Sequence, residues 1–291
     1  MLRRQLFQLA AAGTFPSLLP AQTYSKKARL RTALCAYSFR KELADKSMSY
    51  EDVIRLAADL DVDGVDMTVY WLPDTSDATL LRLRRVAYTN AVEIYGISVR
   101  TDMCKPPGGE RDKELAALRK WVDVAQKLGA GHIRVFGGTV PKGSTPDQAS
   151  AWVTEILKSA AEYAGSKGII LGLENHGGIT EKAETILKIV KAVDSPWVGV
   201  NLDTGNFNKN AYQQIEAILP YAVNAQFKVD IRAGEDGKAV PADWPRIVKM
   251  FAQSGYRGYF SLEYEEKEDA KAAVPRLTRE LNAIVAKTRA S

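Results

Sequence analysis

Cysteine is scarce in this sequence, with only two residues, Cys35 and Cys104, among 291. They fall in or just after separate predicted strands, so the sequence does not imply a disulfide framework of the kind that holds small secreted domains together. We expect both side chains to be buried thiols.

Several other features are missing. After the first 22 residues, no apolar run approaches the roughly 20 residues that a membrane-spanning helix needs. The formal net charge of +5 is dispersed along predicted helices, whereas a nucleic-acid-binding surface needs a concentrated basic stripe. There is no linker, domain-sized repeat or low-complexity tract. With 46% hydrophobic and 26% charged residues, the chain is predicted to be globular, with neither a membrane nor a nucleic acid as its partner.

The N-terminus has the three parts of a targeting segment. Basic Arg3-Arg4 precedes an apolar run from Leu6 to Leu19, and small residues follow at Pro20-Ala21. We therefore expect residues 1–22 to be a signal peptide and the mature protein to be exported, to the periplasm or outside the cell. The RRQLF stretch resembles a twin-arginine signal, although Sec export also fits. The alternative is a short N-terminal helix on the folded domain.

The remaining chain, residues 28–291, alternates eight times between β-type and amphipathic helical runs, which favours a parallel sheet with crossover helices. Glycines at helix ends, such as Gly129, predict left-handed C-caps. No GxGxxG motif or P-loop follows the first strand, which argues against the competing doubly wound open sheet. We therefore predict a single (β/α)8 TIM barrel. Its expected strands are Leu30 to Phe39, Gly64 to Trp71, Ile94 to Thr101, His132 to Gly138, Ile169 to His176, Val198 to Phe207, Asn224 to Ile231 and Gly258 to Glu265.

Polar residues share one phase of the late strands. In a parallel barrel, alternate strand residues point inward, so polar residues in that phase face the barrel mouth. On the fifth strand, for example, Leu171 and Leu173 share one face and Glu174 lies on the other. Four consecutive strands thereby direct one oxygen-bearing side chain each toward the same point: Glu174, Asp203, Gln226 and Glu263.

Three carboxylates at one buried point repel one another, so a shared cation would hold them together. Oxygen ligands suit a hard ion, Mg²⁺ or Mn²⁺, better than Zn²⁺. The alternative is that one or two of the carboxylates merely pair with Lys228 or Arg134.

Four segments carry a resemblance to a known family: LGLENHGG at 171–178, VGVNLDTGNF at 198–207, NAQFKVD at 224–230 and YFSLEYE at 259–265. The chain resembles the sugar phosphate isomerase/epimerase group of xylose-isomerase-like TIM barrels. The resemblance implies metal ligands at Glu174, Asp203 and Glu263, with Gln226 at a fourth position that is usually His. Either the Gln226 amide oxygen coordinates the metal, or the site is weakened. Glu174 and Glu263 would also be the catalytic acid/base pair.

Five further residues are predicted to bind substrate. His176 would donate to a substrate oxygen or act as a base. Arg134 would bind a hydroxyl or carboxylate, or form a salt bridge to Glu174 or Asp66. Lys228 would orient substrate or only balance charge, and Asn206 matches a family position that often carries a substrate-contacting His. Tyr37, the fifth, lies near the end of an early strand and would stack on a sugar ring or pack the rim, as would the nearby Tyr70 and Trp71.

Three functions fit this reading. The first is a metal-dependent isomerase or epimerase that takes a proton from the carbon next to a sugar carbonyl through an enediolate. The second is a lyase or hydratase acting on 3-keto-sugars or glycosides at the same site. The third is a non-catalytic carbohydrate-binding barrel. DNA repair, found among related endonucleases, requires a multi-histidine site, and this chain has only His132 and His176. A small carbohydrate is the expected partner, and the sequence leaves a homo-oligomer open.

Overall fold

Leucine-rich and β-branched runs form the eight strands that the sequence predicts. In residues 28–290, which the computed structural model describes, each of these strands pairs in parallel with the next along the chain, and the last pairs with the first. This closure confirms the TIM barrel and excludes the open sheet. The barrel strands are β1 Arg29–Cys35, β2 Gly64–Thr68, β3 Glu93–Ser98, β4 His132–Phe136, β5 Ile170–Glu174, β6 Val198–Asp203, β7 Ala222–Phe227 and β10 Arg257–Leu262. A small antiparallel pair, β8 Asp230–Ile231 and β9 Val240–Pro241, lies between β7 and β10 in the chain.

Helices surround the barrel. Within residues 28–290, none of them combines the length and the apolar character needed to cross a membrane. They are α1 Arg40–Ala44, α2 Tyr50–Asp59, α3 Asp77–Thr89, α4 Gly109–Leu128, α5 Pro146–Ser166, α6 Ala183–Val193, α7 Ala211–Ile218, α8 Trp244–Gln253 and α9 Ala270–Ala290. The predicted signal peptide, residues 1–22, lies outside the described residues.

Local sequence signals explain where several helices begin and end. Helix α5 starts with a capping box, in which the Thr145 hydroxyl accepts a hydrogen bond from the Gln148 backbone N–H and the Gln148 side chain accepts one from the Thr145 N–H. Helix α4 ends at Leu128 and is capped by Gly129, whose φ of 84° lies in the left-handed region. The predicted glycine C-cap is therefore confirmed at this position.

The core lies between the outer face of the sheet and the helices. Phe227, Phe251 and Phe260 are fully buried there, with ring centroids 4.6 Å apart for Phe227 and Phe260 and 6.0 Å apart for Phe227 and Phe251. Cys35 and Cys104 are also buried and free, which confirms that they are not joined in a disulfide.

The predicted strand ends were wrong at the carboxyl side. The first two strands stop at Cys35 and Thr68 and continue as short 3₁₀ helices, Ala36–Phe39 and Val69–Trp71. The later strands likewise end two to four residues early. Most of the residues there form loops at the barrel mouth, whereas Asp230–Ile231 leaves the barrel to pair with Val240–Pro241. As a result, His176 and Glu265, which were expected within strands, lie on loops.

Candidate active site

The predicted oxygen-bearing side chains lie at the carboxyl ends of the barrel strands. Glu174 and Asp203 are the last residues of β5 and β6, and Gln226 is one residue before the end of β7. Glu263 follows β10 directly and stays in the ladder through its N–H, which donates to the Phe227 carbonyl at 2.9 Å. All four side chains are buried inside the barrel, at 0 to 7% exposed. The inward phase read from the sequence therefore agrees with their burial.

A cavity of about 200 Å³ opens above these residues. All five predicted substrate-binding residues line it together with Glu174 and Glu263, whereas Asp203 and Gln226 are absent from its walls. Its lining is Tyr37, Tyr70, Arg100, Arg134, Phe136, Glu174, His176, Asn206, Lys228, Glu263 and Glu265. A larger cavity of about 790 Å³ adjoins Arg29–Arg31 and Arg289, at the opposite ends of the strands. We place the site in the smaller cavity, because active sites of TIM barrels lie at the carboxyl ends of the strands.

The ammonium group of Lys228 lies among three carboxylates. Its Nζ is 2.8 Å from Oε1 of Glu263, to which it donates a hydrogen bond, and 3.4 Å from Oδ2 of Asp203. It also contacts Oε2 of Glu265. Only 9% of the Lys228 side chain is exposed, so this charge is held inside the site and not in solvent. These contacts are compatible with charge balance by Lys228, and its predicted contact with substrate stays a prediction.

A second cation, Arg134, contacts the other glutamate. Its Nε lies 3.0 Å from Oε2 of Glu174 and forms an ion pair with it. The N–H···O angle is too small for this contact to be a hydrogen bond. Its Nη1 donates to the Val99 carbonyl at 3.1 Å and to the Tyr70 hydroxyl at 3.2 Å, which fixes the guanidinium. Asn206 completes this half of the site by donating from Nδ2 to Oε1 of Glu174 at 3.0 Å.

Gln226 belongs to a buried polar network beneath the cavity. Its Oε1 accepts a hydrogen bond from Asn201 Nδ2 at 2.8 Å, and its Nε2 donates to Oδ2 of Asp66 at 3.1 Å. The Cys35 thiol lies at the same place and donates to Oε2 of Glu263 at 3.3 Å. The sequence named Asp66 only as an alternative salt-bridge partner of Arg134, and Cys35 was not predicted to belong to the site. The available signal for Asp66 was an acidic residue between the apolar Val65 and Met67 in a predicted strand.

The carboxyl groups differ in acidity because their surroundings differ. Burial raises the pKa of Glu174 well above its ordinary value in spite of Arg134, and burial raises the pKa of Asp203 to about 7 in spite of Lys228. Burial acts in the same direction on Glu263, but the adjacent Lys228 ammonium and its hydrogen bond outweigh it and lower the pKa of that carboxyl. The two glutamates that line the cavity therefore favour opposite protonation states.

One wall of the cavity is aromatic. The imidazole of His176 lies against the Phe136 ring, with centroids 4.0 Å apart and planes inclined by 31°. Burial lowers the pKa of His176, with a further contribution from Arg134, which favours the neutral ring. Tyr37 and Tyr70 stand edge to face across the other side, 6.4 Å apart. Such faces suit the apolar side of a sugar ring.

The family resemblance implies a divalent ion, and we compared the donors present with that requirement. Lys228 and Arg134 already contact the three carboxylates, and the Gln226 oxygen is directed at Asn201. Across residues 28–290, no three His, Cys, Asp or Glu side chains are arranged to hold a metal ion. In this arrangement, the side chains do not fit a divalent ion. The predicted metal remains a prediction.

The sequence matches a family model and a curated protein. The family model of the xylose isomerase-like TIM barrel matches residues 54–281, which is most of the chain. The chain belongs to this family. A curated relative of this xylose isomerase-like barrel is the 3-oxo-isoapionate decarboxylase of Pectobacterium atrosepticum, 28% identical over 132 residues. That match spans 44% of this chain and 46% of the decarboxylase, less than half of either protein.

Solved structures share the barrel at low identity. D-psicose 3-epimerase of Clostridium cellulolyticum H10, determined with D-tagatose, superimposes with a TM-score of 0.71 at 18% identity, over 89% of this chain and 98% of the epimerase. A probable 3-DHS dehydratase of Bacillus anthracis gives a TM-score of 0.66 at 16% identity, over 88% of this chain and 98% of the dehydratase. The names of these two neighbours, an epimerase and a dehydratase, denote different reactions on the same barrel fold. At such identities, the likeness establishes the fold and not the reaction.

Proposed function

We propose that this xylose isomerase-like barrel is an enzyme that moves a proton at the carbon next to the carbonyl group of a small carbohydrate, as an isomerase or epimerase. One observation carries the proposal. Glu174 and Glu263 are buried in the wall of the same 200 Å³ cavity, and each contacts a different fixed cation, Arg134 or Lys228. Two carboxyl groups that flank one small cavity can act as base and acid on a single substrate.

Each glutamate has a distinct part in this reaction. Glu263, which is ion-paired with Lys228, accepts the proton from the carbon next to the carbonyl. Glu174 delivers a proton to the resulting enediolate from its own side of the cavity. Protonation of the same carbon from the other face inverts that carbon. Protonation of the former carbonyl carbon moves the carbonyl group, because the proton of the neighbouring hydroxyl then passes to the former carbonyl oxygen.

The size and lining of the cavity favour a small polyhydroxylated substrate. Pockets for drug-sized ligands usually measure roughly 300 to 1,000 Å³, and this cavity of about 200 Å³ is smaller. Arg100 and Asn206, whose side chains carry hydrogen-bond donors, line it alongside Tyr37 and Phe136. This combination of donors and aromatic faces suits a single sugar rather than an oligosaccharide.

The test is exchange of a substrate proton with solvent. We would incubate the purified full chain with a panel of ketoses and keto-sugars in deuterated water and follow deuterium at the carbons next to the carbonyl by NMR. We expect label to appear with at least one substrate, and Glu174→Gln and Glu263→Gln each to slow its appearance by about 100-fold or more.

The matched control is Glu155→Gln, which removes an exposed carboxylate paired with Arg111 on the outer helices and should leave the rate unchanged. Absence of label with every substrate would reject the proposal. Tight binding of a sugar without label would instead favour a non-catalytic carbohydrate-binding barrel.

A lyase or hydratase reaction on a 3-keto-sugar or glycoside is the second candidate. It would begin with the same proton abstraction, but the enediolate would then expel a leaving group. His176 favours it, because its imidazole lines the cavity, where the ring N–H can donate a hydrogen bond that stabilises a departing oxygen. The same NMR experiment separates the two reactions, since a lyase would yield an unsaturated product or a released aglycone.

A further inference from the structure

The centre of the site already contains a positive charge that is part of the chain. Lys228 Nζ lies 2.8 Å from Glu263, 3.4 Å from Asp203 and in contact with Glu265. Among these are two of the three carboxylates that the resemblance makes metal ligands. The third, Glu174, is contacted by Arg134 at 3.0 Å. Each carboxylate of the expected metal set therefore has a protein cation within 3.4 Å.

The position of Lys228 is enforced by its surroundings. Its backbone N–H donates to the Thr204 hydroxyl at 3.0 Å, and its carbonyl accepts a hydrogen bond from the Trp244 indole at 2.8 Å. Gly205 packs against the side-chain stem so closely that an added Cβ would lie 2.6 Å from Lys228 Cγ. The ammonium is therefore held at the carboxylates, unlike that of a flexible surface lysine.

Gln226, the expected fourth ligand, has its amide orientation determined by its neighbours. Asn224 Nδ2 donates to Oδ1 of Asn201 at 2.8 Å, so Asn201 presents its NH₂ group to the Gln226 oxygen. On the other side, the Gln226 NH₂ group faces the Asp66 carboxylate at 3.1 Å. A reversed amide would set oxygen against carboxylate and NH₂ against NH₂. The Gln226 oxygen therefore accepts its hydrogen bond from Asn201 and is not directed at a metal position.

We infer that this site operates without a divalent ion, because the Lys228 ammonium supplies the positive charge that a metal would otherwise share among Asp203, Glu263 and their neighbours. In this arrangement, Lys228 donates a hydrogen bond to Glu263 at 2.8 Å and places a fixed positive charge on the cavity wall, where negative charge develops on a substrate oxygen. The inference rests on the proposed function for its catalytic part only. The statement about metal binding is independent of any substrate.

The first measurement uses the unmodified full chain. It is produced in medium supplemented with Mn²⁺, and its metal content is determined by mass spectrometry, followed by calorimetric titration with Mn²⁺ in the absence of substrate. We expect far less than stoichiometric metal and no saturable Mn²⁺ binding. Stoichiometric metal, or saturable binding that displaces the lysine, would overturn the inference.

The second measurement builds the missing site. Gln226→His with Lys228→Met supplies an imidazole and removes the competing ammonium, and we expect this double variant to bind Mn²⁺ about 100-fold or more tightly than the parent. The two single variants are the controls, and circular dichroism identifies any variant that does not fold. Equal Mn²⁺ affinity in the parent and a folded double variant would show that Lys228 does not stand in for an ion.

The third measurement concerns catalysis. With a substrate identified by deuterium exchange, chelation by EDTA should leave the parent rate unchanged. Lys228→Arg, which keeps the positive charge, should retain far more activity than Lys228→Met. Activity that is lost in EDTA and restored by Mn²⁺ would overturn the inference. If no substrate exchanges at all, the proposed function fails, whereas the metal measurements still decide the role of Lys228.

Discussion

A buried histidine in the barrel interior makes the stability of the protein depend on pH in a way that can be tested. His132, the first residue of β4, points inward and is only 6% exposed. Within the described chain, neither of its ring nitrogens has a hydrogen-bond partner. It is tightly enclosed, since a Cβ added at Gly172 would lie 2.3 Å from Nε2 and one added at Gly96 would lie 3.0 Å from Nδ1. Burial, with a smaller contribution from Arg134, lowers the pKa of His132 from 6.5 to about 3.

The direction of the pH effect follows from this shift. Because the folded-state pKa of His132 is below the unfolded-state value, the unfolded chain binds more protons in acid, and stability is lost as the pH falls below 6.5 toward 3. Each pH unit in this window costs about 1.4 kcal/mol. Between about pH 7.5 and pH 5, the His132 contribution to the free energy of unfolding should therefore fall by about 2 kcal/mol.

The assay is urea unfolding of the parent and of His132→Asn at both pH values. Asp66 and Asp203, whose pKa values are raised to about 6 and about 7, act in the opposite direction, because folded protein binds the extra protons. These groups are present in both proteins, so the difference between the two pH dependences isolates His132. The parent should lose about 2 kcal/mol more than the variant on acidification. If the free energies of unfolding of the two proteins changed equally with pH, the conclusion that His132 is held neutral in the folded protein would be refuted.

Two further predictions concern the lysine and the thiols. Gly205→Ala should displace the Lys228 side chain, lower the free energy of unfolding by about 1 to 3 kcal/mol in a urea titration, and slow deuterium exchange into the substrate. The control is Gly131→Ala, because a Cβ added there meets nothing within 4 Å, and it should lose far less stability. Burial raises the pKa of Cys104 to about 12 and that of Cys35 well above its ordinary value. Both thiols should therefore resist iodoacetamide in the folded protein at about pH 8 and react after unfolding, as measured by mass spectrometry; rapid alkylation of the folded protein would contradict their burial.

The sequence was most informative where periodicity carries the signal. Alternation of apolar and polar residues located the barrel strands and the inward phase of Glu174 and Gln226, because a strand has a strict two-residue repeat. The carboxyl ends of the strands were less predictable. At Ala36 and Val69 the chain leaves the sheet for a 3₁₀ turn, although both residues have the apolar character of a strand. Where a strand stops depends on the neighbouring strand, which the local sequence does not contain.

By itself, the sequence determined the barrel and which oxygen-bearing side chains lie at its mouth, since parallel strands gather their carboxyl ends at one edge. Only the tertiary structure decided the partners of those oxygens. Gln226 is directed by Asp66, 160 residues earlier, and Lys228 reaches Glu263, 35 residues later. Hydrogen bonds and ion pairs depend on separations of a few tenths of an ångström between distant strands, which no local pattern specifies. Residues that resemble a metal site in the sequence thus form, in the fold, a site whose carboxylates are paired with the chain's own cations.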